Sequence, residues 1–426
     1  MAVSDEITTD RTPAGIPVVV ERLPGFHSAS LSVYLGTGSR DEDERQAGIA
    51  HMLEHMLFKG TTRRTAREMS EQVEAAGGEM NGYTTKEVTS YQVCALDETV
   101  EVAEDILADM VLNPLLEASC LTTEKNVVLQ EINMLQNDPD DYIHVLFAET
   151  LWGDHSMGRS EAGSSATVSA LTERDVREFF QRHYRPPRMA VIAVGNVDPA
   201  QVVDWASESF DGLAPTPARQ ERTVPHHNAA FRVCPREDRQ AYVGMGFPGC
   251  SSVDPERFAL RLTASILGMG TSSRLFQEIR EKEGLVYEIF ASSSSYTDCG
   301  AMNIFFNTTV DDQAKVVRLV GKEIRRLKDE GLEKGELERA KRLLKGIYVR
   351  RLESSETRMV RLGEAFMSTG RATTPEESLR NIDAVSEEDV HRMARKVMLR
   401  DRLCMTLHAP GKESERDAKE LEDLDF

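Results

Sequence analysis

The stretch SASLSVYLGTGSRDEDERQAGIAHMLEHML, residues 28–57, sets the order of elements on which the rest of the chain is built. Its first eight residues alternate in polarity, as expected of a strand with one buried face. A glycine-bearing turn and an acidic run with an arginine follow, and apolar residues then recur at helical spacing. The stretch therefore predicts a strand, a turn and an amphipathic helix in that order.

A second stretch repeats this order later in the chain. In QAYVGMGFPGCSSVDPERFALRLTASILGMG, residues 240–270, Arg257 corresponds to Arg45, an offset of 212 (257 − 45). SALTERDVREFFQRHY, from residue 169, likewise matches DAVSEEDVHRMARKVM, from residue 383, with Asp175 and Asp389 at an offset of 214 (389 − 175). Two widely spaced matches at nearly one offset predict a duplicated domain.

The duplication predicts a two-domain chain. We expect residues 1–212 to form an N-terminal domain and residues 229–426 a homologous C-terminal one. Residues 213–228, rich in proline and polar side chains, are expected to link them. Strands and helices do not alternate strictly as in parallel βαβ units, so the predicted class is α+β. Each domain is expected to be a sandwich of a mixed, largely antiparallel sheet covered by helices.

Two segments have the periodicity of long amphipathic helices. They are TVEVAEDILADMVLN, residues 99–113, and EKGELERAKRLLKGIYVRRLESSETRMVRLGEAF, residues 333–366.

Composition excludes several classes of partner. The 71 acidic residues outweigh 51 basic ones, giving a formal net charge of −20. A nucleic acid or an anionic membrane surface needs a basic footprint, so neither is an expected partner. No apolar run approaches the roughly 18 residues of a membrane span. The N-terminus resembles no targeting segment and the six cysteines lack C-x-x-C spacing, so we expect reduced thiols and a cytoplasmic location.

The segment GIAHMLEHMLFKG, residues 48–60, carries two histidines four residues apart. On a helix its apolar residues gather on one arc, and His51, Glu54 and His55 gather on the other. Residues at i and i+4 lie one above the other, so the two imidazoles can converge on one zinc ion. Glu54 lies beside them, where a general base would be needed. The alternative is a pair of ordinary surface histidines, and the motif itself supplies only two ligands.

The third ligand is suggested by an anomaly in CLTTEKNVVLQEINMLQN, residues 120–137. This segment is predicted to be a helix that ends before Pro139, with an apolar stripe of Leu121, Val128 and Leu135. Glu124 and Glu131 fall on the same stripe, seven residues apart. A buried carboxylate is costly unless it is paired or bound to a metal. Glu131 is therefore a candidate ligand, and a salt bridge to a buried arginine remains the alternative for both glutamates.

An H-x-x-E-H motif followed 76 residues later (131 − 55) by a glutamate resembles the M16 metallopeptidases, also called the pitrilysin or insulinase family. The resemblance covers the whole chain, and the size is similar to the short subfamily that includes the β subunit of mitochondrial processing peptidase. It implies the sandwich fold of those metallohydrolases and one zinc per chain, bound by His51, His55 and Glu131. Glu54 would be the general base, and Glu124 would support the site without binding metal.

The hairpin sequence GGEMNGYTTKEVTSYQV, residues 77–93, resembles the family's G-x-x-N-A-x-T segment, whose strand lies beside the active helix. The resemblance implies that substrate pairs with a strand whose binding residues are Asn81, Gly82, Tyr83 and Thr84. Glycine at position 82 stands where alanine is more usual, which is expected to loosen the strand.

The segment SSRLFQEIREKEGLVY, residues 272–287, resembles the family's distal substrate-binding segment. Arg280 and Tyr287 stand seven apart, as the family's Arg/Tyr pair does, and are implied to take part in catalysis. Without the resemblance, Arg280 would be a solvated helix charge and Tyr287 a sheet residue.

The resemblance implies a zinc endopeptidase that hydrolyses peptides or unfolded segments in a closed chamber. Four domains enclose such chambers in this family and this chain has two, so a homodimer with two equivalent sites is expected. Two other functions remain open from the sequence. One is a non-catalytic structural subunit of the same fold, and the other is a protease dedicated to one precursor peptide.

Overall fold

The computed structural model of the chain describes residues 6–215, 221–236 and 240–410. Five positions of the predicted linker, residues 216–220, lie outside the described residues. The described chain divides into two compact units. Unit 1 contains the residues up to Asn133 together with Arg159–Arg222 and Val349–Thr374, and unit 2 contains Met134–Gly158, Thr223–Tyr348 and the residues from Pro375 onward.

The N-terminal half of the chain forms six strands and eight α-helices in its described part. The strands are β1 (Glu6–Arg11), β2 (Pro17–Arg22), β3 (Ser28–Leu35), β4 (Glu79–Thr84), β5 (Thr89–Leu96) and β6 (Met189–Gly195). The helices are α1 (Ile49–Leu57), α2 (Ala66–Ala75), α3 (Val100–Leu112), α4 (Ala118–Asn137), α5 (Pro139–Trp152), α6 (Ser165–Ala170), α7 (Glu173–His183) and α8 (Pro199–Phe210).

The C-terminal half forms five strands and six α-helices in its described part, with one π-helical segment, Phe276–Lys282. The strands are β7 (Phe231–Pro235), β8 (Gln240–Pro248), β9 (Val286–Ser295), β10 (Gly300–Thr309) and β11 (Cys404–Ala409). The helices are α9 (Arg257–Gly268), α10 (Gln313–Glu330), α11 (Glu336–Arg351), α12 (Ser355–Thr369), α13 (Pro375–Ala384) and α14 (Glu387–Val397).

Apart from the additional edge strand β1 of the first sheet, the two sheets have the same topology. The first has the strand order β1-β2-β6-β3-β5-β4 and the second β7-β11-β8-β10-β9. In each sheet one parallel pair, β2–β6 or β7–β11, lies beside antiparallel strands. Helices α7 and α14, which lie in the second pair of repeated segments, also begin alike. Thr172 and Ser386 each form a capping box with the aspartate three residues later. The predicted α+β class and its duplication are confirmed.

Each unit includes one helix from the other half of the chain. Helix α5 packs in unit 2 against β8 and β11, and α12 packs in unit 1 against β3 and β6. The segment 333–366, whose periodicity suggested one long helix, is therefore two helices with a break at residues 352–354. The side chain of Ser354 accepts a hydrogen bond from the Thr357 N–H and so begins α12. The predicted division into residues 1–212 and 229–426 stays a prediction.

Each sheet has an apolar core on both faces. In unit 1 one face packs against α1, α3 and α8, and the other packs against α12. In unit 2 one face packs against α9, α10 and α14, and the other packs against α5. Among the helices of the described residues, none combines the length and the apolar character needed to cross a membrane.

Helix α12 is held on the first sheet by polar and steric contacts. The fully buried carboxylate of Glu21 on β2 accepts hydrogen bonds from Arg358 at 2.5 Å and from Arg361 at 3.1 Å. At the middle of the helix, a Cβ added to Gly363 would lie 2.2 Å from the ring of Tyr34, which is itself fully buried. Glycine at position 363 is therefore required for this close packing.

We expect Gly363→Ala to destabilise the protein by about 1–3 kcal/mol, because the buried Tyr34 ring has no room to move away from the added methyl group. The midpoint of thermal unfolding should fall. Gly25→Ala is the matched control, since a Cβ at that position meets no atom within 4 Å. Equal midpoints for the two variants would show that the packing against Tyr34 is not tight.

Candidate metal centre

Helix α1 is anchored by one completely buried face. Its apolar side chains there are at most 1% exposed, and they are Ile49, Met52, Leu53, Met56 and Leu57. On the opposite face the rings of His51 and His55 are half-buried, with centroids 4.7 Å apart. The burial of the first face fixes the direction in which both imidazoles leave the helix.

The first turn of α1 is capped by a distant carboxylate. Gly48, the residue before the helix, has φ +93° and carries no side chain that could cap it. Glu42 supplies the cap, because its carboxylate accepts hydrogen bonds from the N–H of Gly48 at 2.9 Å and of Ala50 at 2.8 Å. Burial raises the pKa of Glu42 to about 8, although both N–H donors act in the opposite direction. Glu42 thus fixes where α1 begins.

Three potential ligand atoms converge on the outer face of α1. Glu131 Oε2, from α4, lies 3.8 Å from His51 Nε2 and 3.6 Å from His55 Nε2. All three ligand atoms lie within 4.8 Å of one another. Tetrahedral ligands that lie about 2.1 Å from zinc are about 3.4 Å apart, so these separations fit the ion closely. The two nitrogens and one carboxylate oxygen are also ligand types that zinc accepts.

The pKa of His51 and the hydrogen bond of His55 suit a metal. Burial, with a smaller contribution from neighbouring His55, lowers the pKa of His51 to about 4, so its imidazole is neutral near pH 7. His55 Nδ1 lies 3.1 Å from Glu124 Oε2 and donates to this carboxylate, which leaves the Nε2 lone pair facing Glu131. Neutral imidazole with a free lone pair is the form that binds a metal ion.

Glu124 and Glu131 differ in their surroundings. The Glu124 side chain is only 4% exposed and holds Lys59 Nζ at 2.9 Å with its second oxygen. The Glu131 side chain is 43% exposed and reaches both histidine Nε2 atoms. The two glutamates predicted on one stripe are therefore placed differently, with Glu124 behind His55 and Glu131 among the ligand atoms. The predicted stripe itself continues through buried Ile132, and Leu135 is only half-buried.

Glu54 projects between α1 and strand β4. The residue is 9% exposed, and Glu54 Oε2 accepts a hydrogen bond of 2.7 Å from the hydroxyl of Thr84. Burial raises the pKa of Glu54, and the Thr84 hydrogen bond opposes that rise. Among the described residues, Oε1 of the same carboxylate has no hydrogen-bond partner. This oxygen is available to a water molecule or a substrate atom.

Strand β4 forms the free edge of the first sheet. It pairs with β5 without interruption from Glu79 to Thr84, so the ladder is continuous at Gly82, and the loosening expected there stays a prediction. The ring of Phe58 occupies the space beside Gly82, 3.0 Å from the position of an added Cβ. The Asn81 side chain accepts a hydrogen bond from the Gly82 N–H, and the Tyr83 hydroxyl meets Tyr34 at 3.0 Å.

Arg280 and Tyr287 belong to unit 2 and are not among the three clustered ligand residues. Arg280 lies in the π-helical segment, where it donates to Glu281 at 2.6 Å and lies over the ring of Phe276. Tyr287 is 83% exposed on β9, the edge strand of the second sheet. Exposure of this degree is unusual for a tyrosine with a packing role. The catalytic role predicted for Arg280 and Tyr287 stays a prediction.

Three contacts of this centre are not predicted from the sequence. Glu42 precedes α1 by seven residues, and an acidic residue ahead of a helix that lacks a capping side chain was the only available indication. Lys59 lies one turn beyond His55, and its pairing with Glu124 requires a second helix. The hydrogen bond between Thr84 and Glu54 joins a strand to a helix 30 residues away.

Comparison with protein-family models gives two matches. Residues 17–165 match the model described as Insulinase (Peptidase family M16), and residues 170–344 match the Peptidase M16 inactive domain. The chain belongs to peptidase family M16. All three clustered candidate ligands lie in the first matched region, and the second matched region begins at residue 170, before the N-terminal half ends.

Relatives of similar length share the family. An uncharacterized zinc protease of Streptomyces coelicolor is 37% identical, covering 91% of this chain and 86% of its own length. The uncharacterized zinc protease YmxG of Bacillus subtilis is 32% identical, covering 91% of this chain and 94% of its own. A Pseudomonas fluorescens structure titled as a peptidase M16 inactive domain aligns with a TM-score of 0.88 at 21% identity, covering 96% of this chain and 99% of that one. These likenesses establish the fold and the family.

We expect Glu131→Gln to lower zinc affinity about as severely as His51→Ala or His55→Ala, because each removes one of three ligand atoms. Glu124→Gln should weaken zinc binding by only about 10–100-fold, since the amide oxygen can still accept from His55 Nδ1 but lacks the charge. Competition with a chromogenic chelator measures both affinities.

Glu117→Gln is the control for these variants, because this exposed glutamate precedes α4 and lies outside the cluster. Its zinc affinity should equal that of the unmodified chain. Equal and complete loss of zinc in Glu124→Gln and Glu131→Gln would contradict the distinction between the two carboxylates.

Proposed function

We propose that this chain is a zinc-dependent endopeptidase that uses the inverted H-x-x-E-H motif of α1. The observation that carries the proposal is the convergence of His51 Nε2, His55 Nε2 and Glu131 Oε2, with a buried carboxylate, Glu54, beside them. One ion per chain is proposed. At offset 212 the second half has Thr263 and Leu267 in place of the two histidines. The zinc protease names of the relatives support the same conclusion.

Zinc, when bound, would polarise the scissile carbonyl and lower the pKa of water toward about 7. Glu54 is the group of this chain that handles the proton. Its Oε1 accepts the proton of the attacking water and later passes it to the leaving amine, while Oε2 remains on the Thr84 hydroxyl. Burial raises the Glu54 pKa, which favours this exchange of a proton because an ordinary carboxylate is a weak base.

The substrate is an extended peptide that adds to the free edge of β4. An edge strand presents unpaired N–H and C=O groups, and a peptide that pairs with them gains affinity with little demand on its sequence. The strand residues Asn81, Gly82, Tyr83 and Thr84 are the proposed substrate-binding residues. The main-chain groups of Gly82 and Thr84 point away from β5, and Gly82 N–H would exchange its Asn81 partner for the peptide. Peptides and unfolded segments meet this requirement, whereas folded proteins do not.

The remaining parts of the proposal rest on the family resemblance and, for the location, on the N-terminal sequence and the cysteine spacing. Arg280 and Tyr287 are proposed to contact the substrate, and the chain is proposed to act as a homodimer in the cytoplasm. Hydrolysis of a peptide library, followed by mass spectrometry of the products, measures how selective the chain is for the sequence of its substrate. Many cleaved sequences would support general peptide hydrolysis, and a single cleaved motif would instead support a dedicated processing enzyme.

We expect Glu54→Gln to retain zinc at the level of the unmodified chain while peptide hydrolysis falls by about 10²–10⁴-fold. The amide cannot accept the proton of water, but it leaves the three ligand atoms in place. Zinc content by atomic absorption and turnover of a fluorogenic peptide measure the two effects.

Glu71→Gln, an exposed substitution on α2, serves as the control and should keep full activity. Full activity of Glu54→Gln would overturn the assignment of the general base. Absence of hydrolysis by the unmodified, zinc-loaded chain would support the structural-subunit alternative.

Tyr287→Phe should lower peptide turnover with no change in zinc content or in the midpoint of thermal unfolding. The hydroxyl is the only group removed, and a side chain that is 83% exposed contributes little to folding. Steady-state kinetics at saturating zinc measure the effect. Unchanged turnover would remove Tyr287 from the proposed substrate contacts.

A further inference from the structure

Thr84 is the last residue of β4, and its hydroxyl donates to Glu54 Oε2 at 2.7 Å. The neighbouring strand residue in the ladder, Thr89 of β5, has its own hydroxyl partner, the Thr37 carbonyl, at 3.0 Å. The two threonines are thus paired across one hairpin, but only Thr84 reaches the candidate general base.

The hydrogen bond from Thr84 determines how the Glu54 carboxylate is oriented. The terminal torsion of a glutamate side chain has a broad energy profile, so a carboxylate without a directional partner can rotate. Burial of Glu54 strengthens this hydrogen bond, since the local dielectric is low. With Oε2 held, Oε1 is the oxygen that remains without a partner among the described residues.

The same hydrogen bond limits what Thr84 can offer to a substrate. A threonine hydroxyl has one donor, and Thr84 uses it on Glu54. A peptide paired with β4 would therefore meet the main chain of Thr84 and not its hydroxyl proton. Strand β4 would bind the substrate, and Thr84 on the same strand holds the general base. Substrate and general base would therefore be positioned by one rigid element.

We propose that Thr84 is a positioning residue that orients the general base Glu54 for proton transfer and contributes nothing through its side chain to peptide binding. This inference rests on the proposed function. Misorientation of the base should lower kcat and leave KM nearly unchanged, because the main-chain contacts of the β4 edge persist.

The first test compares Thr84→Val, Thr84→Ser and the control Thr89→Val. Thr84→Val preserves shape but removes the donor, so kcat should fall about 10–100-fold with KM within about twofold and zinc content unchanged. Thr84→Ser retains the donor and should recover most of kcat. Thr89→Val removes a buried hydroxyl of the same hairpin that does not touch Glu54, and its kcat should stay near that of the unmodified chain.

The second test needs no activity. In chelator-treated protein, the unfolding midpoints of Thr84→Val, Glu54→Ala and the variant with both changes form a double-mutant cycle, and we expect non-additive shifts because Thr84→Val removes the donor and Glu54→Ala removes the acceptor of one hydrogen bond. The affinity of a fluorescent peptide for zinc-loaded Glu54→Gln should also be the same with and without Thr84→Val.

Each outcome separates the two proposals. Full kcat in Thr84→Val, a raised KM with normal kcat, additive midpoints, or weakened peptide binding in the double variant would overturn the positioning role while leaving a working peptidase. If Thr84→Ser fails to recover kcat, the hydroxyl is not the group responsible and the role is overturned. If the unmodified chain hydrolyses no peptide, the proposed function fails and this inference fails with it.

Discussion

The complete burial of one face of α1 is the constraint on which the candidate centre depends. Because the apolar side chains of this nine-residue helix are packed at 0–1% exposure, the helix can neither rotate nor slide without opening the core. The carboxylate of Glu42 fixes its first turn as well. With rotation and position both fixed, the directions of His51 and His55 follow from the helical repeat alone.

Every buried acid around α1 has a partner that accounts for its burial. Glu42 meets two backbone N–H groups, Glu54 meets the Thr84 hydroxyl, and Glu124 lies between Lys59 and His55. A carboxylate removed from water without such partners would cost several kcal/mol or become protonated. These acids and their partners lie on residues 42–59, on β4 and on α4, so the polar side of α1 is assembled only when these segments of unit 1 pack together.

The second half of the chain shows what the fold requires when the candidate metal ligands are replaced. Its strand order is that of the first sheet without β1, and the helix before its last strand begins with the same kind of capping box. At the offset of 212 residues, Thr263, Ile266 and Leu267 on α9 replace His51, Glu54 and His55, and all three are at most 3% exposed. Two apolar side chains there pack into the core, so the sandwich does not depend on a metal site. The polar face of α1 is therefore a feature added to a shared scaffold.

The sequence by itself determined the features that depend on local spacing. These include the two histidines four residues apart, the β4–β5 hairpin, the repeated segments with their nearly common offset, and hence the duplicated α+β fold. The resemblance implied different roles for Glu124 and Glu131, but only the tertiary structure decided which nitrogens each one meets, because both carboxylates share one stripe. Glu124 contacts His55 Nδ1, whereas Glu131 lies beside the Nε2 atoms of both histidines. Hydrophobic periodicity also did not predict that α5 packs in unit 2 and α12 in unit 1. Nor did it predict the break at residues 352–354. Periodicity records which face of a helix is buried, but the choice of the partner that buries it depends on contacts between distant segments.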